Sequence, residues 1–195
     1  MTETLKAYLD LIRAHFLPAW PLVSCSGLIL AFENYGGFSW ALIIKVALIG
    51  LLGFEAGFIL NDYVDRNRDR LDIEDTLTRY WRPFKERPIP SGKVSSKSAF
   101  LLFILLVAVI SALIFTLPYP NSLYVLVIMI YSYSIEAFYQ VKKRNQNYPI
   151  AQLLGRTDFT LFPAAGYLCY GHPDMTMLLY MFFFLSLDNG SSGSK

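Results

Sequence analysis

Three aspartates and two asparagines fall within nine residues, in the stretch Asn61-Asp62-Tyr63-Val64-Asp65-Arg66-Asn67-Arg68-Asp69. On a helix turning 100° per residue, Asp62, Asp65 and Asp69 lie about 60° apart or closer, with Asn61 at the edge of the same arc. Glu55, seven residues before Asp62, continues the stripe back into an apolar run, 39–60, long enough to cross a bilayer. Acidic groups at the mouth of a membrane helix are costly unless they are neutralised, here by a divalent cation or by the arginines that follow. Carboxylates beside an amide oxygen suit a hard ion such as Mg²⁺, which commonly bridges such groups to substrate phosphates. Asn61, Asp62, Asp65 and Asp69 are therefore candidate metal ligands, and the three aspartates are candidate catalytic residues.

Two other readings of the stretch compete. Alternating Asp and Arg also anchor a solvated helix end at a membrane surface. A calcium loop would take Asp65, Asn67 and Asp69 as its first ligands, but Arg70 stands where that loop needs glycine and Thr76 where it needs glutamate, which excludes it. The segment downstream favours phosphate chemistry. Arg79, Arg82, Lys85 and Arg87 lead into Pro88-Ile89-Pro90-Ser91-Gly92, a sequence that dictates a tight, non-helical turn. Each cation alone reads as a membrane-surface charge. As a set beside a carboxylate cluster they suit the phosphate oxygens a metal leaves uncovered. A metal–diphosphate site at the mouth of an apolar bundle is the combined reading, with an isoprenyl diphosphate as its natural ligand.

The elements that position this chemistry are membrane helices. Hydrophobic residues make up 54% of the chain, charged residues 16%, and the mean hydropathy is +0.40. The apolar residues come in blocks near bilayer-spanning length. Spans are expected at 16–32, 39–60, 98–117, 122–139 and about 150–170, followed by a short sixth apolar run at 175–187. The fold class is thus all-α, a polytopic transmembrane bundle of about five full spans. Residues 1–187 form one transmembrane domain, and 188–195 read as a flexible polar tail. Before the first span, Leu5, Leu9, Ile12 and Phe16 at helical spacing suggest a short interfacial helix, with Lys6, Asp10 and Arg13 between them. Lys45 is placed to snorkel to the far interface. Cys25 and Cys169 sit inside apolar runs as small core residues, not as a disulfide.

Charge suggests the orientation. Lys6 and Arg13 precede the first span, nine Lys/Arg lie in 61–97, and Lys142, Lys143 and Arg144 follow the fourth span. The intervening loops carry none, so the N-terminus and the aspartate stretch are expected on the cytoplasmic side of an integral membrane protein. Arg156 and Asp158, near the start of the fifth span, are ionisable groups close to membrane depth. They are expected to pair with each other or, for Arg156, to reach the diphosphate.

Asn61-Asp62-x-x-Asp65-x-x-x-Asp69 closing a membrane helix, with Arg87-Pro88-Ile89-Pro90-Ser91-Gly92 after it, resembles the first aspartate motif and adjoining loop of the UbiA superfamily of intramembrane prenyltransferases. Tyr131-Ser132 and Phe162-Pro163-Ala164-Ala165-Gly166-Tyr167 add weaker likeness. The resemblance implies Mg²⁺ held by Asn61, Asp62, Asp65 and Asp69, a polyprenyl diphosphate donor, a hydrophobic or aromatic acceptor, and a lipid bilayer as surroundings. No nucleic acid is implied. The segment between Asp69 and Arg87 is longer than that pattern, with an extra Arg79-Tyr80-Trp81-Arg82-Pro83. The family carries a second aspartate motif after a later span, which this sequence lacks, so the chain is expected to be a fragment and inactive alone. The alternative from another class is a non-catalytic transporter or scaffold with a cation-binding helix end.

Overall fold

The structure, a computed structural model, describes residues 2–69, 82–142 and 149–191, without the side chains of 68, 142, 149–156, 158–159 and 187–191. Its described residues form seven α-helices and one 3₁₀ turn. α1 (Glu3–Leu11) opens on Thr2, whose hydroxyl accepts from the Leu5 amide at 3.3 Å, and Glu3 lies in its first turn. Arg13, in the left-handed region at φ +46°, stops it, and the 3₁₀ turn Ala14–Phe16 leads to α2 (Ala19–Tyr35). Pro18 and Pro21 stand at the start of α2, where a missing N–H costs nothing. Gly36 and Gly37, both at positive φ, end it.

α3 (Trp40–Asp69) is one helix of 30 residues, so the apolar run and the aspartate stretch share a single axis. α4 (Ser96–Phe115) starts on a Ser95 cap that accepts from the Ser98 amide at 3.0 Å. α5 (Asn121–Lys142), α6 (Pro149–Leu168) and α7 (Met175–Ser191) complete the chain. Four stretches, within the helices from Ala14 to Val141, are long and apolar enough to cross a membrane, and a shorter apolar helix covers Met175–Ser186. The protein is an all-α integral membrane protein. Helices stand at every position where a span was expected, but among the described residues only four of the five expected full spans qualify, 150–170 not being one of them, and α3 runs on to Asp69, past its expected end at 60. One difference concerns the tail: α7 stays helical through Ser191, past the apolar run that was expected to end at 187. Each added residue extends a helix already nucleated, at little cost.

α2 lies between α3 and α6, α3 also meets α4 and α5, and α6 joins α5 to α7. The main core joins Leu28 and Ala31 of α2, Val46 and Ile49 of α3, Ile110 and Ile114 of α4, and Tyr167 of α6. Lipid-tail solvent gives helices no hydrophobic reason to associate, so close backbone approach matters more. A Cβ on Gly27 would lie 1.8 Å from the Pro163 carbonyl oxygen, and one on Gly166 would lie 1.8 Å from that of Ser24. Only glycine allows α2 and α6 to cross at this distance. At the end of the bundle away from the aspartates, Asp174 gathers Asn34, Tyr35 and Tyr167 and caps α7 through the Met177 amide. Burial opposes its charge, yet the hydrogen bonds from Tyr167 and Tyr35 and from the Met177 and Thr176 amides hold its carboxyl below the usual range. Lys45 donates to the Thr116 carbonyl at the end of α4, 3.4 Å away. Cys25 and Cys169 are both free thiols.

Candidate functional site

The last turns of α3 place Asp62 and Asp65 in buried positions, 4% and 3% exposed, with Asn61 and Asp69 partly open. Arginines neutralise two of the acids. Arg82 forks onto Asp62, with Nη2 at 2.8 Å from Oδ1 and 2.7 Å from Oδ2. Arg87 lies 2.7 Å from Asp69. Of the two neutralising agents the sequence allowed, the structure therefore shows the arginines in place.

A third cation was missed by sequence reasoning. Arg13, read there as one polar position of an interfacial helix, turns its guanidinium inward to 3.4 Å from Asp62 Oδ1. It also lies over the Phe58 ring, 4.1 Å from the centroid. The left-handed backbone at Arg13 directs it there, and a non-glycine residue in that region is held by its surroundings.

α1 positions the cationic segment through Asp10. The Asp10 carboxylate, fully buried, accepts from the Phe84 amide at 2.7 Å and the Glu86 amide at 3.0 Å. The Asp10 carbonyl accepts from Arg82 Nη1 at 2.8 Å. One residue of α1 thus fixes both the backbone of 84–86 and the far side of the guanidinium that holds Asp62. Beneath this clasp Ala7, Leu11, Ile59, Ile89, Val94 and Ala99 form a second, smaller apolar core. The turn after Arg87 is non-helical and closes on Gly92 at φ +76°, as Pro-x-Pro-Ser-Gly requires.

The remaining expected residues divide. Lys85 sits on an exposed turn at φ +63° and its side chain reaches none of the aspartates among the described residues. Arg79 and the side chains of Arg156 and Asp158 lie outside the described residues. Tyr133 donates to the Gly53 carbonyl at 3.3 Å, while the exposed Tyr131 meets Thr157 at 3.1 Å. Beside α3, a Cβ on Gly57 would meet nothing within 4 Å, which marks open space one turn below Asn61. A groove of about 470 Å³ opens between α5, α6 and α7, lined by Val127, Tyr131, Thr160, Leu161, Leu178 and Phe182.

Among the described residues no three acids, histidines or cysteines converge into a metal cage. That does not disqualify the donors, because Mg²⁺ is ordinarily held by one or two carboxylates together with substrate phosphates and waters.

The arrangement is a buried run of acids with guanidiniums on it, at one end of an apolar bundle. The sequence pattern of the UbiA prenyltransferase family matches residues 20–187, which covers α2 to α7 and the whole aspartate stretch. The chain belongs to the UbiA prenyltransferase family. Among curated UbiA-type relatives, a 4-hydroxybenzoate octaprenyltransferase of Marinomonas is 32% identical over 151 residues, which are 74% of this chain and 47% of that protein. Another of the same name from Vibrio campbellii is 35% identical over 109 residues, 53% of this chain and 34% of its own. A third, from Pectobacterium atrosepticum, is 38% identical over 78 residues, 40% of this chain and 24% of the relative. The chain thus spans at most about half the length of these relatives. No solved structure matches it.

Proposed function

We propose that the end of α3 binds the diphosphate head of a polyprenyl donor together with Mg²⁺, for transfer of the prenyl group to a hydrophobic or aromatic acceptor. The observation that carries this reading is the gathering of Asp62, Asp69, Arg82, Arg87 and Arg13 at the mouth of an apolar bundle. A magnesium diphosphate carries both signs of charge, and the site holds a partner for each. Asn61, Asp62, Asp65 and Asp69 would hold the ion, all through hard oxygen donors. Once bound, Mg²⁺ supplies Lewis-acid stabilisation to the departing diphosphate. Arg82 and Arg87 exchange their carboxylate partners for phosphate oxygens and stabilise the same charge. Phe58 and its aromatic neighbours exclude water from the allylic cation and offer it a π face. The names of the relatives support a polyprenyl donor and an aromatic acceptor.

The segregation of Lys and Arg supports a cytoplasmic site. Reporter fusions after Gly37 and after Lys97 should then read opposite sides of the membrane, and a common side refutes this topology.

The functional test is binding in lipid nanodiscs. Labelled farnesyl diphosphate is expected to bind only with Mg²⁺, and Asp62→Ala or Asp65→Ala should abolish that binding while Cys25→Ala leaves it unchanged. Normal Mg²⁺-dependent binding by both aspartate variants refutes the proposal.

A further inference from the structure

The inward stripe of α5 carries an acid that the diphosphate reading does not use. Asn121, Val125, Met129, Ser132, Glu136 and Gln140 recur at intervals of three and four, within an arc of about 100°. Asn121, Val125, Ser132 and Gln140 are at most 5% exposed, so this face is the one turned into the bundle. Glu136 is half-buried on it. α5 runs in the same direction as α3. Its first residue, Asn121, donates to the Leu168 and Gly171 carbonyls at the end away from the aspartates, and Tyr133 meets Gly53 further along. Glu136 therefore stands beyond Gly53, on the side toward Asp62. An ionisable residue on the inner face of a membrane helix is costly to place and reads as functional, with a charged partner to be named.

The surroundings supply that partner. Gln140 donates its amide to Glu136 Oε1 at 2.5 Å and fixes the carboxylate on the inner face. The Glu136 charge bears on the Arg13 guanidinium, as do those of Asp62 and Arg82. Arg13 thus lies between acids of two helices, Asp62 of α3 at 3.4 Å and Glu136 of α5. Glu55, on which the Arg13 charge also bears, belongs to α3 itself, two turns deeper than Asp62. Asp62 can take a cation only by giving up oxygens that Arg82 and Arg13 now cover, and like charges then drive both guanidiniums off. Arg82 keeps the Asp10 carbonyl as a partner at 2.8 Å. Arg13 needs an acid outside the aspartate stretch. We propose that Glu136 is a positioning residue that holds Arg13 from α5, keeping its guanidinium at the mouth of the site when Asp62 turns to a cation. It acts through Arg13 and not on the ion. The cation half of this inference rests on the diphosphate reading, whereas the pairing of Arg13 with Glu136 stands without it.

The test uses the 195-residue chain in nanodiscs, as wild type, Glu136→Gln, Arg13→Met and the double variant. Glu136→Gln keeps an Oε1 acceptor for Gln140 and removes only the charge. Without metal, each single variant is expected to lower the melting temperature by about 2–4 °C, and the double variant by no more than the larger single change. Additive shifts overturn the pairing, and so does a cycle in which Glu55→Gln, but not Glu136→Gln, couples to Arg13. Arg13→Gln takes the place of the methionine variant should that one fail to fold. With labelled pyrophosphate as the probe, Glu136→Gln should raise the Mg²⁺ concentration for half-maximal binding about tenfold, and Glu136→Asp should recover most of the loss. In the Arg13→Met background the same Glu136→Gln change should shift it less than twofold. An equal shift in both backgrounds makes Glu136 a direct ligand, and no shift in either removes it from the site; both results overturn the positioning role. Absence of Mg²⁺-dependent binding by the wild type counts against the diphosphate site, while the metal-free melting cycle still decides on the pair.

Discussion

Asp10→Ala is predicted to release the cationic segment without unfolding the bundle. The Asp10 carboxylate receives two backbone hydrogen bonds, from Phe84 and Glu86, at 2.7 and 3.0 Å. A hydrogen bond to a charged group contributes about 1.5–3 kcal/mol. Both bonds are partly buried, which favours the lower figure, so their loss amounts to about 3 kcal/mol of local stability. Since 1.4 kcal/mol is a tenfold change, the Phe84 and Glu86 amides should exchange with deuterium about a hundredfold faster. Asp10→Asn keeps one uncharged acceptor and should give about a tenfold increase. The Arg82 bond to the Asp10 carbonyl involves main chain and survives either change, so exchange in the middle of α3 should stay at the wild-type rate. The measurement is hydrogen–deuterium exchange of peptides covering 82–95, compared with peptides from 45–60. Unchanged exchange at Phe84 and Glu86 in Asp10→Ala would refute the argument that α1 fixes this segment.

Three other outcomes are expected. Arg82→Ala leaves buried Asp62, among the described residues, with Arg13 alone at 3.4 Å and should cost about 3 kcal/mol by thermal unfolding in detergent, with part recovered on adding Asp62→Asn; full stability of the single variant would contradict this role of Arg82. Gly166→Ala, whose Cβ would lie 1.8 Å from the Ser24 carbonyl oxygen, should cost at least about 3 kcal/mol, whereas Gly57→Ala should be neutral or gain up to about 1 kcal/mol. Asp174 has a folded-state pKa below its unfolded value, so its contribution is complete above the ordinary carboxylate pKa and fades as pH falls through the folded one. Asp174→Asn should therefore lower the melting temperature at neutral pH and lessen its fall below about pH 4; parallel wild-type and variant profiles would rule this out.

Much of the fold was legible because membrane helices announce themselves locally. The apolar blocks alone place each helix along the chain, although α3 runs on to Asp69, past its expected end at 60. The stripe on α3 was legible for the same reason, since its 100° arithmetic needs no other part of the chain. Partnerships were not. Asp10 pairs with a segment more than seventy residues away, and Arg13 reaches Asp62 only through a left-handed backbone that its sequence does not require. Both looked like the polar face of an interfacial helix. A clue was present: a carboxylate and a guanidinium three residues apart, directly ahead of the first span, are dear to place at a membrane entrance unless something receives them. The helical start of the expected tail was hidden because composition registers the end of the apolar run, and a nucleated helix outlasts it.

The continuity of α3 turns its residue count into a ruler. Thirty residues at 1.5 Å each make a rod of about 45 Å, longer than the roughly 30 Å hydrocarbon layer. Lys45 and Gly50 pin the rod near one end, against Thr116 and Ser24, while the acids are read out at the other. Deleting one residue between 51 and 54 would keep every side chain type, yet swing Glu55 and the aspartates by about 100° and draw them back by about 1.5 Å. Arg82 and Arg13 would then face Tyr63 instead of Asp62, and Arg87 would lose Asp69. Evolution can exchange residues along this rod far more freely than it can change the number of them.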